Sequence, residues 1–183
     1  MVAVATGSIV SGPVSFMRIW DAMCATMFST SARRGAMMAT LRCDHPDIEA
    51  FVDAKRDPSV LVSDAFMAAV ANDREWPLVF PGLVVTRTVR ARELWQRILR
   101  AAYDTAEPGV LFVDTINRDN TLADREMLTA TNPCGEIPLP PYGACDLGSL
   151  NLTAFVSAPF AADACLDLGA LADSASLDWP MRW

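Results

Sequence analysis

The chain has 183 residues, 52% of them hydrophobic and 20% charged, with a net charge of −7. That length and apolar share suit one domain with a real core, and the acidic balance excludes a general nucleic-acid surface while leaving room for one nucleotide on local arginines. Five cysteines, one histidine and no C-x-x-C exclude a secreted disulfide scaffold and a zinc site of ordinary ligand spacing. The first residues lack the basic and long apolar regions of a signal peptide. No apolar run is long enough to span a bilayer. The expected location is cytoplasmic and reducing.

Residues 1–10 are small and apolar, the end of a strand or a loop. Ser11 and Pro13 mark a helix start. Phe16, Met17, Trp20, Met23, Cys24, Met27 and Phe28 then recur at helical spacing and predict a buried amphipathic helix ending near Ser31. Arg33-Arg34-Gly35 breaks it, as a solvated turn or a phosphate contact. Residues 36–42 read as a short buried strand. Asp44 or His45 caps the next helix, with Pro46 in its first turn, and His45 reads as a cap rather than a base. Arg56-Asp57-Pro58 is a turn and Ser59 to Val62 a strand. Ser63 caps a helix from Asp64 to about Ala71. Pro77 ends a polar stretch, Leu78 to Phe80 is extended, and Pro81-Gly82 turns the chain. Leu94, Trp95, Ile98, Leu99 and Ala102 form the stripe of a second clear helix over residues 91–106. Val110 to Val113 is a strand, and Asp114 to Asn120 a polar loop.

The most informative stretch follows. Asn132, Cys134 and Glu136 stand two residues apart, with Pro133 and Gly135 opposing a helix. Read as locally extended, the segment puts an amide, a thiol and a carboxylate on one face at steps of about 6.6 Å. Pro138, Pro140 and Pro141 keep the chain that follows out of helices and inner strands. A stiff loop carrying three reactive side chains suits a site.

This wording, Asn132-Pro133-Cys134-Gly135-Glu136-Ile137-Pro138-Leu139 followed by Ala144-Cys145-Asp146-Leu147-Gly148-Ser149-Leu150-Asn151-Leu152, resembles the finger loop of ribonucleotide reductases, and most closely their adenosylcobalamin-dependent class. Ser11-Gly12-Pro13-Val14-Ser15-Phe16-Met17, Arg33-Arg34-Gly35-Ala36 and Cys43 to Glu49 are similar to the same family. The resemblance covers residues 7–155 or so. It implies an α/β fold: about the first half of a ten-stranded α/β barrel, with residues 1–155 as a partial barrel domain, a finger loop at 130–142, and a divergent or truncated tail at 156–183. A half barrel exposes apolar edges, so self-association of the isolated chain is expected.

The resemblance also implies chemistry. Cys134 is the radical cysteine, Glu136 the general base, Asn132 the ribose-binding amide, and Cys145, eleven residues beyond Cys134, one of the two cysteines that close a disulfide. The other redox cysteine lies upstream in the family, and Cys24 is not its counterpart. Adenosylcobalamin is the implied cofactor, with no residue assigned to hold it. The implied partners are a ribonucleotide substrate, a nucleotide effector, a thioredoxin-like reductant and, in the full-length form, a second copy; no nucleic acid and no membrane. The connection before Pro58 is shorter than the family's effector-relay loop. The alternative is a non-catalytic remnant that lacks the first redox cysteine and the second half barrel. A dithiol oxidoreductase using Cys134 and Cys145 is a weaker third, because the helix start that lowers a thiol pKa is missing from that spacing.

Overall fold

A computed structural model describes residues 12–27, 36–54, 58–80, 85–145 and 148–175. Ser11, Phe28 and Arg33-Arg34-Gly35 lie outside these residues. The chain divides into two units, residues 1–144 and 145–183.

In the first unit, helix α1 (Pro13–Thr26) begins at Gly12 with Pro13 in its first turn, where a missing N–H costs nothing. Its apolar stripe is not buried as expected. Met17 is buried, while Phe16, Ile19, Trp20, Met23 and Met27 are exposed. Periodicity identifies an apolar face but not what covers it.

Strand β1 (Ala39–Arg42) leads to helix α2 (Ile48–Val52) and strand β2 (Pro58–Val62). Helix α3 (Asp64–Ala71), the strands β3 (Glu75–Val79) and β4 (Val85–Arg90), and helix α4 (Ala91–Thr105) precede strand β5 (Gly109–Phe112). β1, β2 and β5 form a parallel sheet in the order β1-β2-β5, with Thr40 opposite Ser59 and Ser59 opposite Gly109. The parallel pairs are possible because α2 and α4 carry the chain back along the sheet.

β2 is buried along its whole length, as a central strand covered on both faces must be. Val60 and Val62 join a core of Ile48, Phe51, Val52, Phe66, Leu78, Leu94 and Ile98. Each fully buried aromatic contributes about 1.5–3 kcal/mol by leaving water. Phe66 meets Trp76 and Trp95 edge-on, with ring centroids 5.2 and 6.4 Å away. Alternation turns Ser59 and Leu61 to the opposite face. There Ser59 Oγ donates to Met38 Sδ at 3.2 Å. A Cβ at position 109 would come within 2.7 Å of that Oγ, so any larger residue there displaces the Ser59 hydroxyl.

Ser63 caps α3 as its sequence predicts, its Oγ accepting from Phe66 N–H at 3.1 Å. Two elements differ from expectation. Pro77 does not end a segment but sits inside β3, paired with Thr88 of β4. A two-stranded ribbon tolerates proline because one side of each strand needs no ladder donor. The stretch after β5 is not a loop but a short helix α5 (Val113–Arg118). Strands β6 (Ala130–Thr131) and β7 (Pro138–Leu139) complete this unit.

The second unit holds a 3₁₀ turn (Leu152–Phe155), strands β8 (Val156–Ser157) and β9 (Cys165–Leu166) paired antiparallel, and helix α6 (Leu168–Ala175). Asn151 Oδ1 accepts the Thr153 N–H at 3.2 Å and starts the turn. No described residue of this unit is buried. Among the described residues, no helix is long and apolar enough to cross a membrane.

Candidate active site on a finger hairpin

β6 and β7 form an antiparallel hairpin, Ala130 opposite Leu139 and Thr131 opposite Pro138. Residues 132–137 make its loop. The Gly135 N–H donates to the Asn132 carbonyl at 2.9 Å, which defines a β-turn over Asn132-Pro133-Cys134-Gly135. Cys134 is not among the residues of positive φ, whereas Gly135 has φ +85°. The turn is therefore of type I rather than type II: asparagine first, proline second, glycine fourth. The segment is not extended through these residues, and the expected single face of alternating side chains is replaced by a turn with Cys134 near its apex.

That turn occupies the Asn132 carbonyl, which would otherwise serve the hairpin ladder. Its side chain substitutes. The Ile137 N–H donates to Asn132 Oδ1 at 2.9 Å, while Asn132 N–H donates to the Ile137 carbonyl at 3.3 Å. Asn132 is half-buried; Cys134 and Glu136 are exposed. Asn132 Nδ2 has no partner among the described residues and faces no competing bond within the loop.

The hairpin is tied to the sheet. Thr40 Oγ1 of β1 donates to the Thr129 carbonyl at 3.4 Å. Thr131 Oγ1 lies 4.0 Å from the Met38 sulfur that Ser59 also meets. These contacts place the base of the hairpin on the face of β2 that carries Ser59, opposite the helical core. A cleft of about 380 Å3 opens beside it, lined by Thr40, Arg42, Asp44, His45, Val79 and Thr129. Arg42 donates to both Asp44 oxygens, at 2.9 and 2.5 Å, and this pairing raises the Arg42 pKa. Neither Asp44 nor His45 caps α2 in the way the sequence suggests: the helix starts after Asp47, with Pro46 before it and no side-chain cap bond, and His45 Nδ1 instead accepts the Asp47 N–H at 3.0 Å. Burial lowers the His45 pKa against the pull of Asp47 and Asp44.

The thiols divide by environment. Cys43 is buried, and burial pushes its thiol up to about 11. Cys24 is half-buried, and Cys134, Cys145 and Cys165 are exposed. Cys134 belongs to the first unit and Cys145 begins the second. Among the described residues, no group of three His, Cys, Asp or Glu side chains is arranged to hold a metal ion. One residue of the site was not singled out from sequence. Asn117, at the end of α5, bonds the backbone at the foot of the hairpin. Its only sequence signal is the asparagine pair Asn117 and Asn120, a residue type suited to local backbone bonding.

A family model described as "Ribonucleotide reductase, barrel domain" matches residues 3–177. The chain belongs to this family. Its reductase relatives include a "Vitamin B12-dependent ribonucleoside-diphosphate reductase" of Mycobacterium tuberculosis, 46% identical over 158 residues, covering 80% of this chain and 23% of the relative. A protein of the same description from Thermoplasma acidophilum is 40% identical over 161 residues, 82% of this chain and 21% of the relative. A "Vitamin B12-dependent ribonucleotide reductase" of Streptomyces clavuligerus is 34% identical over 186 residues, 83% of this chain and 19% of the relative. The chain thus spans about a fifth of the length of these reductases. The mixed helices and parallel strands of the first unit agree with an α/β barrel family.

Proposed function

We propose that the protein carrying this chain reduces ribonucleotides to 2′-deoxyribonucleotides for DNA synthesis, through a radical on Cys134. The observation that carries this reading is the hairpin: it presents an exposed thiol at a turn, with Asn132 and Glu136 in the same six-residue loop. Adenosylcobalamin fits as cofactor, in line with the names of the relatives, because the Cys134 thiol is reachable from outside the loop while Cys43 is sealed in the core. When bound, that group supplies the radical that opens the Cys134 S–H bond. No described residue is assigned to hold it.

Cys134, as a thiyl radical, takes the 3′ hydrogen atom of the ribose. Glu136 accepts the proton of the 3′ hydroxyl as general base. Asn132 donates from Nδ2 to a ribose hydroxyl and holds the sugar in place, while its Oδ1 keeps the loop closed. The 2′ hydroxyl leaves as water. One of the two thiol protons leaves with it in that water, and the other forms the new C2′–H bond with the two electrons released as the cysteine pair closes a disulfide. Cys145 is one member of that pair. The 3′ hydrogen then returns from Cys134, restoring its radical. A thioredoxin-like dithiol reopens the disulfide, in a cytoplasm that keeps thiols reduced. The barrel shields the radical from water. A nucleotide effector and a homodimer complete the reading for the full-length protein.

The test is deoxyribonucleotide formation by the purified reductase with a ribonucleoside di- or triphosphate, adenosylcobalamin and a dithiol. Product that depends on the cobalamin supports the proposal. Absence of product with both phosphate forms overturns it.

A further inference from the structure

We propose that Asn117 is a positioning residue for the Cys134 loop, its side-chain amide pinning Leu128 and so fixing where the finger hairpin leaves the sheet. This rests on the reading of Cys134 as the reacting thiol. The Asn117 amide makes three bonds of 2.8 Å: Nδ2 donates to the carbonyls of Val113 and Leu128, and Oδ1 accepts the Leu128 N–H. Flipping the amide would set a donor against a donor and an acceptor against two carbonyls, so the network fixes its orientation. With Leu128 the amide copies one rung of a β-ladder, accepting and donating at the same residue.

The placement matters because both ends of the clip lead to fixed elements. Val113 follows β5 directly, and β5 pairs with the buried central strand β2. After Leu128, the Thr129 N–H donates to the Leu139 carbonyl at 3.0 Å, and Ala130 opposite Leu139 opens the hairpin. Much of the chain between the two ends of the clip is exposed, Leu122 and Met127 included. Two weaker side-chain bonds also tie the foot of the hairpin to the sheet, from Thr40 to the Thr129 carbonyl at 3.4 Å and from Thr131 Oγ1 to Met38 Sδ at 4.0 Å. A neighbouring amide supplies a comparison. Asn120 donates to the Glu126 carbonyl and accepts the Leu122 N–H, both at 2.9 Å. Both of these side-chain bonds close the same loop on itself, and neither goes to a residue of the hairpin.

Displacing a reacting group by about 1 Å costs on the order of 100-fold in rate. Asn117 touches no reacting atom, so the loss falls on kcat rather than KM. The experiment compares Asn117→Ala, Asn117→Asp and Asn120→Ala in the reductase that carries this chain, following kcat, KM and amide hydrogen exchange at Leu128. Asn117→Asp keeps the acceptor for Leu128 and loses both donated bonds, and it carries the test if Asn117→Ala does not fold. Expected for either Asn117 variant is a kcat lowered by roughly 10–100-fold with KM held within about twofold. Faster exchange at Leu128 and at Ile137 is expected with it. Asn120→Ala is expected to keep kcat within about twofold even where it lowers the melting temperature. Unchanged kcat in the Asn117 variants, or a loss no greater than that of Asn120→Ala, overturns the proposal. If the parent enzyme does not reduce ribonucleotides, the functional reading falls by itself. Exchange then decides the clip, and Leu128 and Ile137 protected as in the parent chain would overturn it.

Discussion

The Ile137 N–H donates to the side-chain oxygen of Asn132 at 2.9 Å, in the place a backbone carbonyl would take in a plain hairpin. The carbonyl of Asn132 is engaged by Gly135 at 2.9 Å. One asparagine thus closes the loop with its side-chain oxygen, and its nitrogen is the group the proposed function assigns to a ribose hydroxyl. The two tasks separate by substitution. Asn132→Asp keeps the oxygen and should unfold within about 0.5 kcal/mol of the parent chain, yet lose at least about tenfold in turnover. Asn132→Ala loses both and should cost about 1 kcal/mol as well. Denaturant unfolding beside turnover checks the pair; full turnover in Asn132→Asp would remove the amide from the reaction.

His45 sets a pH dependence. Burial lowers its pKa below the usual 6.5, so the folded chain resists protonation that the unfolded chain accepts. Above the unfolded value both states are neutral and His45 contributes no slope. As pH falls through 6.5 toward the lower folded value, the unfolded state binds the extra proton and stability is lost. Protonation also removes the Nδ1 acceptor of the Asp47 N–H. Unfolding midpoints in urea at pH 7.5 and 5.5 should therefore differ more for the parent chain than for His45→Asn. Equal differences would exclude His45 as the source.

Thiol reactivity should follow burial. Iodoacetamide at mildly alkaline pH should label Cys134, Cys145 and Cys165 in the folded chain and leave Cys43 untouched, since burial holds that thiol at about 11. Peptide mapping by mass spectrometry reads the sites. Rapid labelling of Cys43 would contradict the packing around β1.

Phe66 anchors the helical side of the sheet between Trp76 and Trp95. Phe66→Ala should cost about 3–5 kcal/mol in chemical unfolding. Ser63→Ala, three residues earlier, should cost about 1 kcal/mol through the lost cap on Phe66 N–H. A Phe66→Ala loss as small as that of the cap would place Phe66 outside the core.

Much of this was legible in the sequence because local and tertiary signals agree. Leu94 and Ile98 of α4, the Ser63 cap and the buried run of β2 are each stated by residue type and spacing, although Leu99 of the expected α4 stripe is exposed. The rest failed where one local signal outweighed another. Pro77 reads as a breaker, and only its pairing with Thr88 makes it part of a strand. Val113 to Arg118 is too short and polar for helical periodicity to register. Asn132-Pro133-Cys134-Gly135 carries the residues of a type I turn, but alternation of its reactive side chains suggested an extended face. The role of Asn117 depends on a partner eleven positions away, Leu128, which no local pattern announces.

The most direct measurement is ribonucleotide reduction by the full reductase with Cys134→Ser, alongside nucleotide binding by the same variant. Serine keeps the size and the turn, but its O–H bond is too strong for the radical exchange that a thiol permits. The result expected is binding as in the parent enzyme with reduction abolished. Substantial residual turnover in Cys134→Ser would contradict the assignment of the radical to the finger hairpin.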